Sequence, residues 1–123
     1  MSGDKLLLDT NIIIYLLSGD KTLADLLNKK TLYISFITQL ELLGYSEISS
    51  KELSKIESFL GQSTIIDINQ EIKNLVIKLR KSYKLKLPDC IVLATAIHLD
   101  LPLLSTDKDF AKVDEVSVLY YER

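Results

Sequence analysis

A chain of 123 residues, 47% of them hydrophobic and with a mean hydropathy of +0.17, suits one folded domain over residues 1–123 and is too apolar for a disordered segment. Its net charge of −2 and pI of about 5.4 exclude a protein that holds nucleic acid mainly by bulk positive charge. They do not exclude a nucleic-acid enzyme, because an acidic metal centre carries negative charge that its cation cancels.

No apolar run approaches the roughly 18 residues of a membrane span. Met1–Lys5 lacks the basic start and cleavage site of a secretory leader. Cys90 is the single cysteine, which rules out an internal disulfide and a cysteine-based zinc site. The expected compartment is a reducing cytoplasm.

Residues 5–9 (KLLLD) read as a buried strand that stops on a charge. Residues 11–18 follow as a helix with Gly19 as its stop, and Asp20 is placed to cap a short helix over 21–28. A second strand is expected at 31–35 and a helix at 37–46. Ser49 and Glu52 have capping-box spacing ahead of an apolar stripe of Leu53, Ile56 and Leu60. A third strand at 64–67 precedes a long helix capped by Asn69, with Ile72, Leu75, Val76, Leu79 and Tyr83 on one face.

Residues 88–99 form a helix apolar nearly all round, hence central, with Pro88 suited to its first turn. Strands at 102–105 and 116–120 complete the chain. The alternation predicts an α/β fold: a central, mostly parallel sheet of about five strands with helices on both faces, hence three layers. Sheets of this kind place ligands at the carboxyl ends of their strands.

That rule directs attention to the acids. Asp9 ends the first strand, and Asp107 follows the strand at 102–105. Glu41 sits in a mostly apolar helix, an odd setting for a charge meant for water, and Asp89 opens the apolar helix at 88–99. Each has a plain alternative: Asp9 as a helix cap, Asp89 as a favourable first-turn charge, Asp107 as a turn residue. Brought together, the four would repel and raise one another's pKa, which a hard divalent cation relieves. An all-oxygen donor set favours Mg²⁺ or Mn²⁺. Such a cation polarises a phosphate and supplies hydroxide, so phosphodiester hydrolysis is the natural reaction class.

The segments "LLLDTNIIIYLL", "SFITQLELLGY" and "KLKLPDCIVLATAIHLDLPLLSTDKDF" resemble a PIN domain, and more closely the VapC-type toxins of bacterial and archaeal toxin–antitoxin pairs. The likeness covers nearly the whole chain in order. It implies a three-layer PIN-like fold and a metal-dependent endoribonuclease with one or two Mg²⁺ or Mn²⁺ ions. Asp9, Glu41, Asp89 and Asp107 would be both the metal-holding and the catalytic residues. Asp107 matches the last acid of a "T-x-D-x-D-F" pattern, with Ser105 in the place of its first threonine. Asp109 stands two residues on as a candidate outer member. Thr10, Asn11, Thr38 and Thr106 would orient carboxylates or water. The likeness also implies an RNA substrate, a homodimer and a small antitoxin that places a basic side chain in the acidic groove.

Lys78, Arg80, Lys81, Lys84 and Lys86 gather just before Asp89. They read either as a solvated helix face or as a rim that tracks RNA phosphates. Cys90 reads as a packing residue and His98 as a helix-end residue facing the dipole. Tyr15, Tyr33, Tyr45 and Tyr83 read as packing rather than base-stacking residues.

Two other classes fit part of the pattern. A phosphoacceptor receiver would use Asp67 after strand three, but lacks paired acids at the end of strand one and a lysine after a late strand. A PIN-like protein that binds RNA or a partner without cutting is the other. An aspartyl-phosphate phosphatase needs an acid two residues after Asp9, where Asn11 stands.

Overall fold

The computed structural model describes residues 4–123. Met1–Gly3, the start of the stretch read above for a leader, lie outside the described residues. The strands are β1 (Lys5–Leu8), β2 (Thr31–Ser35), β3 (Thr64–Ile66), β4 (Leu103–Ser105) and β5 (Val118–Tyr120). The helices are α1 (Thr10–Leu17), α2 (Lys21–Leu27), α3 (Phe36–Leu43), α4 (Ser50–Gly61), α5 (Gln70–Ser82) and α6 (Leu87–Leu99). A 3₁₀ turn spans Lys108–Lys112.

The five strands run in the order β3-β2-β1-β4-β5, and every pairing is parallel. β1 lies at the centre, which explains its unbroken leucines: a strand covered on both faces has no polar side to offer. Leu7 and Leu103 face one layer, where Ile72 and Leu79 of α5 pack with Val92 and Leu93 of α6. Leu6, Leu8 and Leu104 face the other, against Ile12, Ile13, Leu23, Leu27 and Leu60 of α1, α2 and α4. The result is the expected three layers.

α6 is the central helix. Cys90 through Ala96 are all buried, and the hydroxyl of buried Thr95 is satisfied by donating to the Ile91 carbonyl at 2.7 Å. Cys90 is fully buried, and burial pushes its thiol upward, so it packs as expected. Among the described residues no helix is long and apolar enough to cross a membrane.

Most local signals hold. Asp20 caps α2, Ser49 and Glu52 form a full capping box, and Asn69 caps α5. Gly19 ends α1 at φ 99°, a conformation that favours glycine. Most boundaries shift by about a residue, and three differences go further. α3 ends at Leu43 rather than at 46, with Gly44 as its C-cap at a point where a Cβ would lie 2.7 Å from the Leu40 carbonyl oxygen. β5 begins at Val118 rather than 116. The third concerns Asp9, which leaves the strand and becomes the N-cap of α1, so Thr10 and Asn11 lie inside the helix and do not cap it.

The chain end is tied to the first helices. The Tyr121 hydroxyl donates to Asp20 at 2.9 Å, and the Arg123 guanidinium lies 4.2 Å from the centre of the Tyr15 ring. His98, in the last turn of α6, meets Asn69 and Glu71 at the start of α5, with Nε2 3.2 Å from the Asn69 amide nitrogen.

An acidic site at the carboxyl ends of the strands

Asp9 is where strand becomes helix. Its N–H still pairs with the Leu104 carbonyl of β4 at 3.0 Å, while its own carbonyl accepts from Ile12 and Ile13 of α1. The backbone is thus fixed from both sides, and the carboxylate is fixed as well. Oδ1 accepts from the Thr10 N–H at 2.9 Å, and Oδ2 accepts from the Ser105 hydroxyl at 2.7 Å. The same Ser105 oxygen accepts from the Asp107 N–H at 3.0 Å. Ser105 is fully buried and joins the ends of β1 and β4 to the turn that carries Asp107.

On the other side, Thr10 donates to Glu41 Oε1 at 2.8 Å. The Thr10 and Thr38 hydroxyl oxygens lie 3.2 Å apart, so Thr38 can donate to Thr10 in turn. A chain of contacts therefore runs from Glu41 through Thr10 and Asp9 to Ser105 and Asp107.

Charge links the same residues. Burial pushes Asp9 above the ordinary carboxylate range; the Ser105 and Thr10 hydrogen bonds oppose this, and the charges of Asp107 and Glu41 add to it. Asp89, in the first turn of α6, is also pushed up, first by burial and then by Asp9 and Asp107. Lys86 opposes that shift, and Glu41 adds a little. Asp9 thus feels the charges of Asp107 and Glu41, and Asp89 feels those of Asp9, Asp107 and Glu41.

Several details differ from expectation. Glu41 is exposed, not buried: its apolar neighbours Leu40 and Tyr45 are 57% and 58% exposed, so that side of α3 faces a groove rather than the core. Tyr45 is accordingly no packing residue, whereas Tyr15, Tyr33 and Tyr83 do pack against the core. Asn11 is exposed, and among the described residues neither its side chain nor that of Thr106 makes a hydrogen bond to the acids. Asp109 is exposed and meets Asp107 through its backbone N–H at 2.9 Å; its charge is not among the main ones acting on Asp9 or Asp89. Ser105 was visible in sequence only as the replacement of a threonine, and its joining role was missed. The signal available was a hydroxyl at the end of a buried strand.

The basic stretch divides. Lys86 lies close enough to act on Asp89, whereas Arg80 donates to the Leu85 carbonyl at 3.1 Å and holds the α5–α6 connection. Lys78, Lys81 and Lys84 are exposed.

Oxygen donors alone, held close enough to repel, fit a hard cation. Among the described residues no three acids converge as a closed set of ligands, however. The arrangement therefore suits Mg²⁺, which commonly takes one or two carboxylates directly and keeps its remaining waters. Beside the acids lies a pocket of about 480 Å³, lined by Thr10 and Glu41 and by apolar Ile14, Leu42, Tyr45 and Ile56.

An all-parallel sheet between helix layers, with Asp9 and Asp107 following neighbouring strands, defines the class of fold. The PIN domain family model matches residues 6–116, and the chain belongs to the PIN domain family. Among solved structures, the chain is similar to one from a toxin–antitoxin complex from Klebsiella pneumoniae, with 36% identity, TM-score 0.82, and 96% and 99% of the two chains covered. It is similar to a chain of VapBC-1 from nontypeable Haemophilus influenzae at 25% identity, TM-score 0.75, covering 94% and 97%. A chain of VapBC2 from Rickettsia felis, bound to a DNA fragment from their promoter, shares the fold at 22% identity and TM-score 0.81, covering 96% and 99%. No curated protein matches significantly.

The receiver alternative fails on topology as well as on family. Asp67 follows β3, an edge strand separated from β1 by β2, so it lies two strands from Asp9 rather than on a strand beside it. Its Oδ1 instead accepts from the Ile68 N–H at 2.8 Å.

Proposed function

We propose that the chain is a single-domain, metal-dependent endoribonuclease, the toxin of a toxin–antitoxin pair, acting in the cytoplasm. One observation carries the reading: Asp9 is locked by two hydrogen bonds while the charges of Asp107 and Glu41 act on it, and Asp89 close by feels Asp9 and Asp107 in turn. A solvated surface would gain nothing from that arrangement. Asp9, Glu41, Asp89 and Asp107 would hold one or two Mg²⁺ or Mn²⁺ ions. When bound, a cation of this kind polarises a phosphate and makes water acidic enough to supply hydroxide near neutral pH.

The chain's own residues do the rest. Ser105 and the Thr10 N–H fix both oxygens of Asp9, so that carboxylate is oriented before substrate arrives. Thr10 donates to one oxygen of Glu41, and Thr38 meets the Thr10 hydroxyl behind it. Asp89 accepts no hydrogen bond from a described side chain, so its oxygens are open to a cation or to water, and one of the four acids would also take the proton of the attacking water. Lys86, with Lys84 and Lys81 behind it, offers the positive charge that an RNA phosphate needs beside an acidic centre.

The similar chains come from complexes with antitoxins, and the pocket beside Glu41 supports an antitoxin partner here. Its apolar walls suit the buried face of an amphipathic segment, and Glu41 suits a basic side chain from that segment. We also expect a homodimer, which sedimentation of the purified chain checks.

A second reading, RNA or partner binding without cleavage, draws on the lack of a closed three-acid set among the described residues. Inducing the wild type and Asp9→Asn in cells and mapping new ends in total RNA separates the two. The ribonuclease reading expects discrete new ends with the wild type only; identical end maps for both would overturn it.

A further inference from the structure

Tyr120 is the last residue of β5. In the parallel ladder Tyr120 is registered with Ser105, and Val118 with Leu103. Registered neighbours on adjacent strands present their side chains to the same face, and residues two apart along a strand share it. Val118 packs in the cluster of Leu7 and Leu103, so Tyr120 belongs to the face on which Ser105 and Asp9 lie and over which α6 begins at Asp89.

The Tyr120 ring is 39% exposed even though its position beside the site is fixed by the ladder. Its phenol is pushed up by burial and then by the charge of Asp107, which places the hydroxyl within reach of that acid's field. Among the described residues the hydroxyl has no hydrogen-bond partner. This contrasts with Tyr83 and Tyr121, whose hydroxyls donate to Glu115 and Asp20. A large ring half open to water, with no structural bond to make, stands at the opposite end of the acid row from Glu41.

We infer that Tyr120 is a stacking platform for an unpaired RNA base next to the scissile phosphate. The inference rests on the ribonuclease reading for the identity of the ligand. Stacking on an aromatic ring tolerates any base and combines naturally with a cationic rim, here Lys86. Leu119, its exposed neighbour on the opposite face, cannot serve, because it points away from the acids.

The test is binding of a short fluorescein-labelled single-stranded RNA in Mn²⁺, measured by polarisation in the full-length Asp9→Asn background, with cleavage by the wild type measured in parallel. Tyr120→Ala should weaken binding about tenfold, the scale of one base–aromatic stack, while Tyr120→Phe keeps it. Binding of a duplex RNA should not change. Thermal melts of both variants check that the fold is intact. Unchanged binding in Tyr120→Ala, or an equal loss in Tyr120→Phe, would overturn the inference, the latter because it would mark a hydroxyl contact. If the wild type cuts RNA and Tyr120→Ala binds normally, the inference falls and the ribonuclease reading stands. If the wild type cuts nothing but Tyr120→Ala loses binding, the reverse holds. A protein that binds no RNA ends both.

Discussion

Asp9 is the helix cap that the sequence posed as one of its two readings, and its carboxylate also meets Ser105 at the candidate site. Its Oδ1 bonds the first N–H of α1 while its Oδ2 is held by Ser105. Its raised proton affinity has a consequence for stability. In the unfolded chain the carboxyl ionises in the ordinary range; in the folded chain it resists. The contribution of these two groups to the metal-free fold is therefore full below that range, falls as pH climbs from it through the raised values of Asp9 and Asp89, and falls no further above them. Asp9→Asn removes part of that loss. Its melting temperature in chelator should exceed that of the wild type at neutral pH, and the two should converge in acid; a variant that melts lower at neutral pH contradicts the charge account. Ser105→Ala removes the hydroxyl that lowers Asp9 and that receives the Asp107 N–H. Activity should fall roughly 10- to 100-fold, the usual cost of losing such a support, and the acid limb of the pH–rate profile should move to higher pH. A uniform loss with an unmoved profile would mean that Ser105 acts only by packing.

At the scale of elements, the local signals were legible because they rest on neighbouring residues. The caps Asp20, Ser49 and Asn69 and the stop at Gly19 each depend on bonds spanning a few positions. Gly19→Ala should cost about 1 kcal/mol in a denaturant melt, since alanine disfavours φ 99°; an unchanged midpoint would mean that the turn relaxes freely. What was not legible depends on distance in sequence. Ser105 meets Asp9 across 96 positions, and nothing near either residue announces it. The exposure of Glu41 is not legible because apolar neighbours suggest burial, whereas Leu40 is exposed and Tyr45 lines the groove. The four acids themselves were visible, because charges on buried elements are rare enough to notice. That Asp9 and Asp107 follow neighbouring parallel strands required the strand order.

The whole molecule places one apolar groove and one acidic centre side by side, with Thr10 and Glu41 belonging to both. A partner seated in the groove thus reaches the site without entering the core. The same arrangement links metal to stability: a cation that binds only the folded chain adds about 2.7 kcal/mol at a hundred times its Kd. Mn²⁺ should raise the melting temperature of the wild type clearly and that of Asp9→Asn little; equal shifts in both would place the ion elsewhere. The most direct measurement is cleavage of RNA by purified wild type, Asp9→Asn and Glu41→Gln, each with Mn²⁺ and with chelator. The account predicts cutting by the wild type in Mn²⁺ alone, and intact RNA in every other case. Full activity in either variant, or cutting that survives the chelator, would contradict it.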